Sequence, residues 1–125
     1  MNLNQEKRRH PRVDLQGEAS ILLAGVAENG AIKNLSRSGI QLECCHQLIE
    51  QLSSFKSNAG VFPEFELEFS LPSQAGADKS LKPNCNVSYC RRQSEDSYLL
   101  GLNFIALSKQ DEKELDQYLQ DIRGV

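Results

Sequence analysis

The 125-residue sequence has no tryptophan and only two histidines, and no apolar run approaches the roughly 20 residues that span a bilayer. Its first ten residues, MNLNQEKRRH, contain no apolar segment of the kind found in signal peptides. There is no excess of basic charge either, because the formal net charge is −3. We therefore expect no membrane insertion, no nucleic-acid polymer as a partner, and a cytoplasmic location.

Few residues are suited to catalysis or to metal binding. The histidines, His10 and His46, belong to no visible set of nucleophile, base and orienting group. The four cysteines form no C-x-x-C pair, and neighbours such as Cys45 and His46 would point to opposite faces of a strand. A glycine-rich phosphate loop is also lacking. We expect no catalytic residue, no metal ion and no cofactor, and so a protein that is not an enzyme.

Alternating apolar and polar residues predict a mainly β fold. The first such run begins at Val13 and extends to Leu23. Asn29 and Gly30 follow it, and this pair is typical of a type I′ hairpin turn. The strands predicted in this way cover 13–23, 31–34, 40–44, 65–71, 84–89 and 100–104.

Two segments change to helical spacing. The apolar residues of 46–56 share one helical face, which predicts a short helix there. A C-terminal amphipathic helix is predicted over 108–123, with Ser108 placed to cap it. Six short strands and an added helix favour a closed antiparallel β-barrel, because closure removes exposed strand edges. We expect one domain over 11–125, preceded by a flexible basic arm at 1–10.

A cluster of arginines precedes the first predicted strand. Arg8, Arg9 and Arg12 stand close together, with Pro11 stiffening the backbone between them. A guanidinium group can donate two parallel hydrogen bonds to phosphate oxygens or to guanine O6 and N7, and it can also stack on a base. A basic run of this kind, taken alone, is more often a solvated tail.

A polar turn separates the second and third predicted strands. Asn34 and Ser36 are two residues apart, so an amide and a hydroxyl face the same side if the strand persists. Gly39 permits either a positive φ or a close approach of another backbone. By itself this segment reads as an ordinary turn held by its own side chains.

The order of these two motifs resembles the ligand signature of the PilZ domain family, R-x-x-x-R followed after one hairpin by [D/N]-x-S-x-x-G. Arg8 and Arg12 match the first motif, and Asn34, Ser36 and Gly39 match the second. The resemblance implies a six-stranded β-barrel that binds the bacterial second messenger cyclic di-GMP. It also implies that Arg8 and Arg12 bind phosphate and guanine. Asn34, Ser36 and Gly39 would then line the side of the site that the barrel forms.

The resemblance leads us to expect a cyclic di-GMP receptor whose N-terminal arm folds over the barrel when the ligand binds. The output would pass to an unidentified downstream protein. The alternative is a ligand-independent adaptor of the same architecture that binds a motility or secretion protein. A barrel that binds single-stranded nucleic acid would need a basic groove with stacking aromatics, and the chain has only three Tyr and five Phe.

Overall fold

The computed structural model describes residues 11–72 and 76–122. Within these ranges the chain is mostly β, with two helices. The strands are β1 (Val13–Asp14), β2 (Glu18–Leu22), β3 (Asn29–Leu35), β4 (Gly39–Cys44), β5 (Phe65–Leu71), β6 (Lys79–Leu81), β7 (Asn84–Ser94) and β8 (Ser97–Ala106), and the helices are α1 (His46–Ser53) and α2 (Lys109–Ile122).

Six strands close into an antiparallel barrel in the order β3-β2-β5-β7-β8-β4, and β4 pairs back onto β3. The two remaining strands extend this barrel, because β1 pairs with β3 beyond the end of β2 and β6 pairs with β5 beyond the end of β7. The predicted six-stranded antiparallel barrel is therefore confirmed. The predicted short helix within 46–56 and the predicted C-terminal helix are confirmed as well.

The core follows from the alternation in the strands. Every second residue of β5, from Phe65 to Leu71, is buried, while the residues between them are exposed or half-buried. Both helices contribute to the same core, with Leu48 and Leu52 from α1 and Leu115 and Leu119 from α2. The hydroxyl of Ser108 accepts a hydrogen bond of 3.0 Å from the Asp111 amide, so α2 begins with the predicted cap. In the described ranges, neither helix is long and apolar enough to cross a membrane.

Two local predictions in the first hairpin are wrong. The strand predicted over 13–23 is split into β1 and β2 by a break at Gly17, whose φ of +140° favours glycine. The predicted turn at Asn29–Gly30 is not a turn, because both residues belong to β3 and pair with β2. The chain reverses earlier, at Gly25, where φ is +95°. Gly30 instead packs under Leu42, whose Cδ1 atom would lie 3.0 Å from an added Cβ.

Candidate functional site

A polar cavity of about 150 Å³ lies on the outer wall of the barrel, where β3, β4, β7 and β8 adjoin. Gln41 lies between the buried residues Ile40 and Leu42, and its side chain points away from the core. Asn34 points the same way because the β3–β4 register shifts between Ile32 and Asn34, which interrupts the alternation of β3. The lining residues are Arg12, Asn34, Ser36, Ser38, Gly39, Ile40, Gln41, Ser88, Tyr89, Gly101, Leu102 and Asn103.

The structure brings four of the six residues predicted for the site to this one cavity. Arg12 reaches it from the segment before β1, Asn34 from the end of β3, Ser36 from the β3–β4 turn and Gly39 from the start of β4. The other two, Arg8 and Arg9, lie outside the described residues. The meeting of Arg12 with the turn depends on β1 pairing beside the end of β3, with Asp14 opposite Asn34.

Arg12 is the only charged side chain among the described residues that line the cavity. None of these described lining residues carries a carboxylate, so none of them neutralises that guanidinium or repels an anion. The remaining polar groups are amides, hydroxyls and backbone, which suit a ligand with both anionic and hydrogen-bonding parts. The cavity is therefore electrostatically suited to an anion.

Ser36 holds the turn in shape. It is the only buried polar residue in the described part of the chain, at 7% exposure. Its amide donates to the carbonyl of Gly39 at 2.8 Å, and its hydroxyl accepts from the Ser38 amide at 3.3 Å. The sequence suggested a hydroxyl directed at a ligand, whereas the structure shows that this hydroxyl already bonds within the turn.

Gly39 is required for close packing and not for an unusual backbone angle. Its φ is not positive, unlike those of Gly17, Gly25, Gly60 and Gly76. A Cβ atom added to Gly39 would overlap the backbone carbonyl oxygen of Leu102 on β8. Of the two explanations that the sequence left open, the close approach of another backbone is the correct one.

The sequence did not reveal a polar chain across the cavity floor. The Asn34 amide nitrogen donates to Gln41 Oε1 at 2.8 Å, and Gln41 Nε2 in turn donates to the hydroxyl of Tyr89. The Tyr89 ring covers Gly101, because a Cβ on that glycine would overlap the ring. A glycine inside a predicted strand signals such a close approach, but the partner is visible only once the register of β7 and β8 is known.

The turn is also braced from outside the cavity. Arg37 forms ion pairs with Glu112 at 3.2 Å and Asp116 at 2.7 Å, both on α2. The Phe104 amide donates to the carbonyl of Ser38 at 2.9 Å, which ties the turn to β8. The polar turn is therefore held by the barrel and by the C-terminal helix together.

No cluster of three or more metal-ligating side chains occurs in residues 11–72 and 76–122. The thiols of Cys44 and Cys85 are buried, and burial raises the pKa of each to about 12. These two cysteines stay protonated near neutral pH and are poor nucleophiles or metal ligands.

The sequence matches the PilZ domain family over residues 6–121. The chain therefore belongs to the PilZ domain family, a family of ligand-binding receptors that is not known for enzymes. The family membership predicted from the two motifs is confirmed. Comparison with curated protein sequences produces no match.

Three solved structures share the fold over almost the whole chain. The Bacillus subtilis inhibitor of motility MotI/DgrA superimposes with a TM-score of 0.71 at 18% identity, covering 94% of this chain and 51% of its own. The K. pneumonia MrkH–c-di-GMP complex has a TM-score of 0.63 at 19% identity, with coverages of 94% and 52%. The Borreliella burgdorferi PlzA protein in complex with c-di-GMP has a TM-score of 0.58 at 12% identity, with coverages of 95% and 54%. The chain thus spans about half the length of these proteins.

Proposed function

We propose that this protein is a receptor for cyclic di-GMP and that the ligand binds over the outer cavity, held by the residues of both sequence motifs. The observation that carries the proposal is that Arg12 lines the same cavity as Asn34, Ser36 and Gly39. Family membership supports it, as do two structures of similar fold that were determined with c-di-GMP, those of MrkH and PlzA.

The lining offers a partner for each chemical part of this ligand. The guanidinium of Arg12 binds a phosphate oxygen, where a charge-assisted hydrogen bond is strong. Asn34 uses its amide nitrogen on Gln41, and its Oδ1 has no partner among the described residues, so it can accept from a guanine N–H. The Tyr89 ring supplies an aromatic surface for a base.

The size of the cavity supports a role for the N-terminal segment. Ligand sites usually enclose about 300–1,000 Å³, whereas this cavity holds about 150 Å³. A cyclic dinucleotide placed here would project out of the cavity into solvent, and another part of the chain would have to cover the projecting part. Arg8 stands four residues before Arg12, so an extended chain places it at most about 14 Å away. We propose that residues 1–10 fold over the bound ligand and that a downstream protein recognises the ordered arm.

Titration calorimetry with cyclic di-GMP tests the site. Removing one charge-assisted contact should weaken binding by about 10- to 100-fold, so we expect this loss in Arg12→Ala. Arg91→Ala is the matched control, because Arg91 is exposed and does not line the cavity. Its affinity should stay within about twofold of the wild type. If the folded wild-type protein binds no cyclic di-GMP, the receptor proposal fails and the ligand-independent adaptor is favoured.

Amide hydrogen exchange tests the proposed ordering of the arm. With saturating cyclic di-GMP, exchange in residues 1–12 should slow relative to the free protein. Exchange in the core strand β5 should change little and serves as the internal control. Equal rates in residues 1–12 with and without bound ligand would contradict the folding of the arm, even where calorimetry shows binding.

A further inference from the structure

A second, larger cavity lies beside α1. It holds about 480 Å³ and is bounded by α1, the segment that follows it, and strands β7 and β8. Ser88 and Tyr89 line both cavities, so they form a common wall. The volume falls within the range of about 300–1,000 Å³ that is usual for small-molecule sites. The cavity is open to solvent on one side, so it can hold a small organic ligand against its walls.

The loop that forms one wall has a defined shape. The Gly60 amide donates to the carbonyl of Ser57 at 2.8 Å, and the Ser57 amide donates to the carbonyl of Val61 at 2.9 Å. The Val61 amide also donates to the Ser57 hydroxyl at 3.3 Å. Gly60 has a φ of +78°, which favours glycine and permits this tight loop. The wall is thus built by its own hydrogen bonds before any ligand arrives.

Most of the described lining is apolar or aromatic, with the hydroxyls of Ser53 and Ser88 and a single cation. Ile49, Val87, Phe62 and Tyr98 supply hydrophobic surface, and Lys56 is the only charged side chain among the described lining residues. The Lys56 ammonium lies 4.3 Å from the centre of the Phe62 ring and forms no ion pair within the described ranges. An anion entering this cavity would therefore meet one positive charge beside an aromatic ring.

We propose that this cavity is a second ligand site, which takes a small aromatic molecule bearing one anionic group. The aromatic part packs against the hydrophobic walls, and the anion lies at Lys56. The site is separate from the proposed cyclic di-GMP site, although it shares a wall with it. Its chemistry also differs, because most of its lining is apolar and it lacks the arginine and amide groups of the first cavity.

The probe 8-anilinonaphthalene-1-sulfonate carries both an aromatic part and one anionic group, so it tests this proposal. Its neutral analogue N-phenyl-1-naphthylamine has the aromatic part and lacks the sulfonate. We expect Lys56→Met to weaken binding of the sulfonate probe about fivefold, because a partly exposed charge pair contributes modestly. Binding of the neutral analogue should be unchanged. Val61→Glu should also weaken the sulfonate probe, because Val61 lines the cavity and is 61% exposed, so the added charge needs no burial. Lys113→Met, on the exposed side of α2, is the matched control.

Thiol alkylation locates the bound probe. Cys90 lines this cavity, whereas the half-buried Cys45 does not. The sulfonate probe should slow alkylation of Cys90 by iodoacetamide and leave that of Cys45 unchanged. The proposal is overturned if Lys56→Met binds the sulfonate probe as the wild type does, or if bound probe leaves Cys90 unprotected. Circular dichroism on each variant confirms folding, and no step uses cyclic di-GMP, so this result is independent of the first site.

Discussion

Replacing Gly39 with alanine shows why a glycine stands at the start of β4. The added Cβ would overlap the carbonyl oxygen of Leu102 and lie 3.3 Å from its carbonyl carbon. That oxygen belongs to the backbone of β8, which is paired with β4 on one side and with β7 on the other. It cannot rotate away as a side chain would, so the two strands must separate locally.

The size of the effect follows from this geometry. Overpacking against a rigid neighbour costs about 1–3 kcal/mol, and weakening one ladder hydrogen bond adds about 1 kcal/mol. The strain of a positive φ does not contribute, because Gly39 has none. We therefore expect Gly39→Ala to lower the free energy of unfolding by about 2–4 kcal/mol. For a chain of this length that corresponds to a melting temperature lower by roughly 8–15 °C.

Urea denaturation followed by circular dichroism, without any ligand, measures this loss. Gly30→Ala is the matched control, because an added Cβ there meets side-chain atoms and no backbone of another strand: Leu42 Cδ1 at 3.0 Å, Leu42 Cβ at 3.2 Å and Cys44 Sγ at 3.3 Å. Its stability should stay within about 1 kcal/mol of the wild type, since alanine also reduces the entropy of the unfolded chain. If Gly39→Ala unfolds at the same urea concentration as Gly30→Ala, the steric explanation is wrong.

Two further predictions concern the ion pairs between Arg37 and α2 and the buried thiols. Arg37→Ala removes the ion pairs with Glu112 and Asp116, whose side chains are both 52% exposed, so it should lower the free energy of unfolding by less than about 1 kcal/mol. This deficit should shrink in 1 M salt, and a deficit that grows with salt would contradict an ionic origin. The thiols of Cys44 and Cys85 have their pKa raised from 9.0 to about 12. Between pH 9 and 12 the thiols ionise in the unfolded chain but stay protonated in the folded protein, which favours the unfolded chain. The free energy of unfolding therefore falls as pH rises, by about 1.4 kcal/mol per thiol for each pH unit. Urea titrations at pH 8, 9 and 10 should show a steeper fall in the wild type than in a variant with both cysteines changed to alanine, and equal slopes would refute the assignment.

Periodic features were predictable from the sequence because they depend on neighbours along the chain. The alternation from Phe65 to Leu71 predicted β5 with the bounds that the structure shows. The helical spacing near the C-terminus predicted 108–123, and α2 covers Lys109–Ile122. The spacing of the two motifs was likewise sufficient to identify the PilZ domain family.

Two of the errors lie where strand pairing outweighs local preference. Asn29 and Gly30 are typical of a hairpin turn, yet their backbone groups pair with β2 and the chain turns at Gly25. The short strand β6, at Lys79–Leu81, was not predicted, because three residues carry no recognisable period and form a strand only by pairing with β5. In each case the deciding partner lies in another strand.

Residue order alone was enough to name the chemical groups of the proposed site, namely the arginines before the first strand and the Asn, Ser and Gly of the second motif. It could not show that Arg12 and the turn share one cavity, that Gln41 joins Asn34 to Tyr89, or that a second cavity lies behind Ser88 and Tyr89. Those relations arise because β1 pairs with β3, β3 with β4, β4 with β8 and β8 with β7. Strand register in a closed barrel is set by all the strands packing together, and no local pattern contains it.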